Sequence, residues 1–203
     1  IRMRASLAVL AGLLVFLWGC AQRVFYYPDQ KDYSGHPDYY ALKYEDITFA
    51  SLDGTKLHGW VVPAALAEGE SAKGTVIHFH GNAGNMTGHW FFVSWLPSEG
   101  YNLFVFDYRG YGESEGRPSR KGLAEDADAA INYVRQRKDI DPGRLLILGQ
   151  SLGGNVAIAA VGGGNRNGIK AVVVDSTFYS YRSIANSKIP GSGILINNNQ
   201  SAS

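Results

Sequence analysis

The hydrophobic positions change their spacing along the chain. From Tyr44 they alternate with polar ones, as Tyr44-Glu45-Asp46-Ile47-Thr48-Phe49-Ala50 and again as Lys56-Leu57-His58-Gly59-Trp60-Val61-Val62, on either side of Leu52-Asp53-Gly54-Thr55. Alternation of this kind predicts half-buried strands, and an Asp-Gly between two of them predicts an antiparallel hairpin, because both residues tolerate positive φ. Beyond a polar loop at 64–74 the pattern becomes one of continuous apolar runs separated by helical spacings. Gly74-Thr75-Val76-Ile77-His78-Phe79-His80 reads as a strand covered on both faces, and Tyr101-Asn102-Leu103-Phe104-Val105-Phe106-Asp107 and Ile169-Lys170-Ala171-Val172-Val173-Val174-Asp175 read as further strands. Met86, Trp90, Phe91, Val93, Trp95 and Leu96 predict a helix within 84–98. Ser119 is placed to cap another that runs to about Arg137, with Leu123, Ala127, Ala130, Ile131 and Val134 on one side. Repeated β–α units predict an α/β fold whose parallel sheet carries its ligand site at the carboxyl ends of the strands.

One apolar run, Leu145-Leu146-Ile147-Leu148, stops on Gly149-Gln150-Ser151-Leu152-Gly153-Gly154 and continues into Asn155-Val156-Ala157-Ile158-Ala159-Ala160. That order predicts a buried strand, a turn too tight for side chains at Gly149 or Gly153, and a helix with Ser151 at its N-terminal end. The hydroxyl then points out of the sheet beside unpaired helix N–H groups that can stabilise negative charge. That is where a nucleophile belongs.

Composition narrows the field. At 203 residues, 45% hydrophobic with 25 glycines, the chain suits one globular α/β domain. Nineteen basic against eighteen acidic residues give a formal charge of +1, which excludes an electrostatic footprint for nucleic acid; Arg135-Gln136-Arg137-Lys138 reads as a solvated helix end. With a single cysteine there is no internal disulfide. That cysteine has its own context. Arg2 and Arg4 precede an apolar run from Ala5 to Trp18, which is too short to span a bilayer comfortably and leads into Leu17-Trp18-Gly19-Cys20. This segment resembles a bacterial lipoprotein signal, with leucine three places before the cysteine and glycine just before it, although Trp18 is bulkier than the small residue usual there. The resemblance implies lipidation at Cys20 or, without processing, an uncleaved anchor. Either way the body is expected at a membrane in the cell envelope, facing the periplasm or exterior. Residues 23–40, aromatic and Pro-rich without periodicity, are expected to form an extended tether against the edge of the domain.

Three stretches in order carry a second resemblance: His80-Gly81-Asn82-Ala83-Gly84-Asn85, Phe106-Asp107-Tyr108-Arg109-Gly110-Tyr111-Gly112-Glu113-Ser114, and Gly149-Gln150-Ser151-Leu152-Gly153-Gly154. Together they resemble the α/β-hydrolase superfamily, and within it the membrane-anchored serine hydrolases with an H-G-N-A oxyanion loop, a branch of depalmitoylase-like thioesterases and esterase- or peptidase-like proteins. The resemblance implies Ser151 as nucleophile and the backbone N–H groups of Asn82 and Leu152 as oxyanion hole, with His80, Gly81, Gly149, Gln150 and Gly153 shaping the loop and elbow. It implies a small acyl, ester or peptide-like substrate, no cofactor and no metal. Asp107 and Arg109 are expected to hold the 108–114 turn by a charge-assisted bond. His58 and His78 read as structural, and His89 as a helix-surface residue. The organisation that follows is a signal at 1–19, a tether at 20–43, a partial α/β-hydrolase domain at 44–182 and an irregular tail at 183–203.

One departure stands out. A serine hydroxyl needs a positioned base, and in this fold the chain order is Ser, then Asp or Glu, then His. All five histidines, His36, His58, His78, His80 and His89, precede Ser151, and the only acid after it is Asp175. Two readings follow. The chain is the N-terminal part of a lipid-anchored serine hydrolase, weak in catalysis because the triad Asp and His are absent; or it is a non-catalytic binding or scaffold module that keeps a hydrolase-like pocket. The first is favoured by the strand at 169–175, which would leave an apolar edge open to self-association. A third arrangement, with His80 as substitute base, requires its ring to leave the loop and reach Ser151.

Overall fold

The structure, a computed structural model, describes residues 25–188 and 190–195; Cys20 and the signal-like segment lie outside the described residues. The alternating stretches form β2 (Glu45–Ala50) and β3 (Lys56–Val62), which follow a two-residue β1 (Tyr27–Pro28). They pair antiparallel, and Gly54 takes φ 87° in the turn between them, as its lack of a Cβ allows. The apolar runs give β4 (Thr75–Phe79), β6 (Asn102–Phe106), β7 (Leu145–Gln150) and β8 (Ile169–Asp175), with a short β5 (Ala83–Gly84) after β4. The main sheet is ordered β2-β3-β6-β4-β7-β8; β3 runs antiparallel to β6, and β6, β4, β7 and β8 are parallel.

Four helices are described: α1 (Met86–His89), α2 (Arg120–Gln136), α3 (Leu152–Gly162) and α4 (Tyr181–Lys188). Ser119 caps α2 by accepting from Gly122 N, where the sequence placed it. Alternation along the strands builds two cores. Leu57, Ile77, Phe79, Phe104 and Phe106 join Leu123, Ile131 and Val156 from α2 and α3 on one face. Trp60, Val76, Leu103 and Val105 join Met86, Trp90, Val93 and Leu96 on the other.

The expected helix over 84–98 is not formed as one. After α1 the chain tightens into a 3-10 turn at Trp90–Phe92 and continues in turns to Gly100. Its buried residues Trp90, Val93 and Leu96 recur every third position, the period of a 3-10 rather than an α-helix. Within the stretch expected to be an extended tether against the domain's edge, two residues form a strand. Tyr26 is buried in the core, and β1 pairs parallel with β5, Tyr27 opposite Ala83 and Pro28 opposite Gly84. Burial, with Tyr181 alongside, pushes the Tyr26 hydroxyl far above its ordinary range. Among the described residues no helix is long and apolar enough to cross a membrane.

Candidate active site

Register sets the site. Phe79 pairs with Gly149, so the chain leaves β4 as His80-Gly81-Asn82 at the level where β7 delivers Gln150-Ser151. Ser151 takes φ 50° and ψ −112°, backbone that costs a non-glycine residue about 1–3 kcal/mol. Bonds from the next strand hold it there. Ser151 N donates to Asp175 O at 2.8 Å, and Thr177 Oγ1 donates to Ser151 O at 2.7 Å. The hydroxyl caps none of the amides of α3, so it is not consumed by the helix it precedes.

Close approach explains the glycines. A Cβ on Gly153 would lie 1.9 Å from Phe79 O, and one on Gly149 would lie 2.6 Å from Gly154 Cα. The elbow therefore sits against the end of β4, which is what brings Ser151 and Leu152 to the loop carrying Asn82. All three line one cleft of about 170 Å³, walled by Phe25, Tyr27, Phe178, Tyr181, Ile184 and Lys188. Lining by aromatic and aliphatic side chains with a few convergent polar groups is what a small-molecule site requires.

The Asn82 side chain has other work. Its Oδ1 accepts from Tyr27 N at 3.1 Å and from Tyr111 Oη at 2.8 Å, and its amide donates to Phe25 O. These bonds fix the loop against β1. Desolvation, followed by the influence of Tyr181, pushes the Tyr111 hydroxyl up, so it remains a donor.

His80 is buried behind the loop. Its Nδ1 donates to Gly81 O at 2.7 Å, and its Nε2 faces Asp107 Oδ1 at 3.2 Å. The ring packs on Tyr108 with centroids 4.5 Å apart. Bonded within its own loop, as the sequence suggested, the imidazole is not the base of the third arrangement. Asp107 also accepts from Met86 N at 2.7 Å, which ties the start of α1 to the end of β6.

Two expectations need correction. Arg109 does not pair with Asp107: its guanidinium bonds Asp126 at 2.8 Å and Asp53 at 2.8 Å, and both side chains of the Arg109–Asp126 pair are shielded from solvent. The sequence put the partner inside the motif because the two residues are neighbours, whereas the chain turn aims Arg109 back at α2 and the β2–β3 loop. His89 is half-buried and engaged with the loop rather than open on a helix surface. Its Nε2 lies 2.8 Å from Ala83 O, its Nδ1 lies 3.0 Å from Gln150 Oε1, and its ring stacks on His80 at 5.3 Å. A Cβ on Gly81 would lie 2.9 Å from His89 Cε1, so that glycine makes room for this ring. Burial, reinforced by His80, holds His89 below the ordinary imidazole range, and a neutral ring has one N–H to donate to one of these two oxygens. His89 thus bridges the two strand ends that form the site. The only signal for it in the sequence was indirect: Asn85, which accepts from Thr87 N, starts a helical turn that folds back over its own loop.

His58 bonds Asp46 at 2.9 Å, and His78 is buried, as expected for structural residues. Among the described residues no group of histidine, cysteine and acidic side chains could hold a metal ion.

A strand order with an antiparallel pair leading into parallel strands, a serine on a strained strand-to-helix elbow and a loop from the neighbouring strand facing it define the α/β-hydrolase fold. Residues 70–193 match the family described as Serine aminopeptidase, S33, and the chain belongs to that hydrolase family. It is 54% identical over 191 residues to the uncharacterized protein YfhR of Salmonella typhimurium, covering 90% of this chain and 64% of that protein. Protein bem46 of Schizosaccharomyces pombe is 31% identical over 199 residues, covering 95% of this chain and 65% of its own length. The chain therefore spans somewhat less than two thirds of these relatives. Among solved structures, a Pyrococcus furiosus esterase superposes with a TM-score of 0.67 at 24% identity, covering 81% of this chain and 60% of that one, which shows the fold.

Proposed function

We propose that the cleft is the acyl site of a serine hydrolase of the H-G-N-A branch, cleaving small ester, thioester or amide bonds through an acyl-enzyme on Ser151. The observation that carries it is the strained, uncapped serine at the mouth of an apolar cleft. Ser151 Oγ attacks the carbonyl carbon, the amides of Leu152 and Asn82 take the developing oxyanion, and the leaving group departs with a proton. That proton needs an acceptor. No histidine follows Ser151, and His80 and His89 are engaged with backbone oxygens of the loop, so neither is assigned as the base. The cleft is smaller than the roughly 300–1,000 Å³ of drug-sized sites and suits a short acyl group. A membrane-anchored existence in the cell envelope, through Cys20 or the apolar run before it, is part of this reading. So is pairing of the β8 edge, where Val173 and Val174 are exposed, with another strand.

The test is intact-mass measurement after incubation with p-nitrophenyl acetate or a fluorophosphonate. The expected result is one adduct, on Ser151, formed slowly and accelerated by added imidazole, with weak turnover of about 10³–10⁴ over water from the oxyanion hole alone. No adduct, or an adduct that persists in Ser151→Ala, overturns the reading. Fast turnover lost in Ser151→Ala would point to a base within the chain.

A further inference from the structure

Four large side chains lie exposed, one of them lining the cleft: Tyr27 at 49%, Phe91 at 60%, Phe92 at 39% and Trp95 at 54%. Isolated exposed hydrophobes are ordinary on a protein surface, but these are linked. Phe91 and Phe92 pack with centroids 3.9 Å apart. Phe92 stacks on His89 at 6.0 Å, His89 bonds Ala83 O, and Ala83 pairs with Tyr27. The spacing has a structural cause: Trp90, Val93 and Leu96 point into the core, which turns Phe91, Phe92 and Trp95 outward. The Trp95 indole donates its N–H to Phe92 O at 2.9 Å, so its polar end is satisfied by its own turn and its ring needs nothing from water.

The place of the N-terminus indicates what covers this shelf. The described chain begins at Phe25, whose carbonyl is held by the Asn82 side chain at the cleft. The apolar run from Ala5 to Trp18 ends seven residues earlier, a tether of at most about 25 Å when fully extended. If that run sits in a bilayer, the face carrying Tyr27 is the one held nearest to it. Aromatic residues, with two phenylalanines that offer water nothing, are the side chains that favour the boundary between headgroups and acyl chains.

We propose that Phe91, Phe92 and Trp95, continued by Tyr27, form a shelf that rests on the interface of a phospholipid bilayer and turns the mouth of the cleft toward lipid. This rests on the membrane anchoring included in the proposed function and not on the chemistry of Ser151. The substrate would then be presented at the membrane surface, its acyl part entering the cleft past Tyr27 and its polar part remaining in the headgroup layer.

Tryptophan fluorescence tests it on the full chain. Of the four tryptophans, Trp60 and Trp90 are buried, so Trp18→Phe leaves Trp95 as the only one open to quenchers. With phosphatidylcholine vesicles, the expected result is co-sedimentation of the chain, loss of most acrylamide quenching of Trp95 and a blue shift of its emission. Phe91→Ser with Phe92→Ser should restore much of the quenching in chain that is still vesicle-bound. Bound chain whose Trp95 stays as quenchable as in buffer overturns the shelf and leaves the anchor standing. Failure to bind vesicles overturns both. Shielding that rises with protein concentration in the absence of lipid assigns the shelf to a second copy and also overturns the proposal.

Discussion

Gly153→Ala should unfold the protein at a lower temperature although alanine is the better helix former. The new Cβ would sit 1.9 Å from Phe79 O, 2.4 Å from Phe79 C and 2.7 Å from His80 O, all backbone atoms that cannot rotate away. Ordinary contact lies near 3.4 Å, so α3 and the end of β4 must separate by roughly 1.5 Å, and overpacking of this kind costs typically about 1–3 kcal/mol or more. Against that stands a gain of about 0.4–1 kcal/mol from the stiffer unfolded chain. The net loss, about 2 kcal/mol, corresponds to about 4–8 °C in Tm for a chain of this size. Gly162→Ala is the control. It lies on the same helix, finds nothing within 4 Å of its Cβ and has no positive φ, so it should raise Tm by about 1–4 °C, from about 0.5–1 kcal/mol of helix propensity. Thermal melts of both variants followed by circular dichroism decide the matter. Equal shifts, or a Gly153→Ala protein as stable as the wild type, would refute the claim that the elbow is pressed against the oxyanion loop.

Asp126 accepts from Arg109 N, Nε and Nη2 and from Ser51 Oγ while fully buried, so Asp126→Asn leaves a buried guanidinium short of charge. Because Asp53 and Glu125 remain beside Arg109, the loss should fall near the low end of the usual range, about 3 kcal/mol, read from the urea midpoint; a loss below about 1 kcal/mol contradicts it. Acidification supplies a separate test. Desolvation holds His78 well below 6.5 and, with His80, lowers His89, so both fold neutral while the unfolded chain takes up protons below 6.5. Stability is fully present above that value and falls as pH drops toward the folded values, by up to about 1.4 kcal/mol per pH unit for each ring. Asp53, Asp139 and Asp141, whose carboxyls are lowered by their arginine, threonine and backbone partners, contribute only below 3.8 and outside this window. His78→Leu should flatten the profile between pH 6.5 and 5; a wild-type profile already flat there refutes the account.

Periodicity was enough for the sheet. Alternation gave β2 and β3, continuous apolar runs gave β4, β6, β7 and β8, and Ser119 marked the start of α2, although β3 is buried on both faces and β8 lies largely exposed. The elbow was legible as well, since glycines before and after Ser151 are needed wherever backbones touch. What was not legible depends on pairing across the fold. The segment after α1 carries enough apolar residues to look helical, and only the burial of Trp90, Val93 and Leu96 reveals the tighter period. Arg109 and Asp107 lie two apart, and nothing local says that one turns to Asp126 and Asp53 while the other turns to His80 and Met86.

His89 shows why such pairings matter for the site. Asn82 and Leu152, whose amides the proposal assigns to the oxyanion, belong to segments that leave different strands, so their separation is not fixed by either segment alone. Between β4 and β7 the ladder ends at Phe79 and Gly149. Beyond it the elbow leans on Phe79 O through Gly153, while His89 joins Ala83 O to the Gln150 side chain. A contact that tolerates no Cβ sets how near the two segments come, and a ring packed between both fills the space beside it. If the two amides take the oxyanion as proposed, they polarise the substrate carbonyl independently of any base, which is why Ser151 is expected to acylate slowly and selectively rather than not at all.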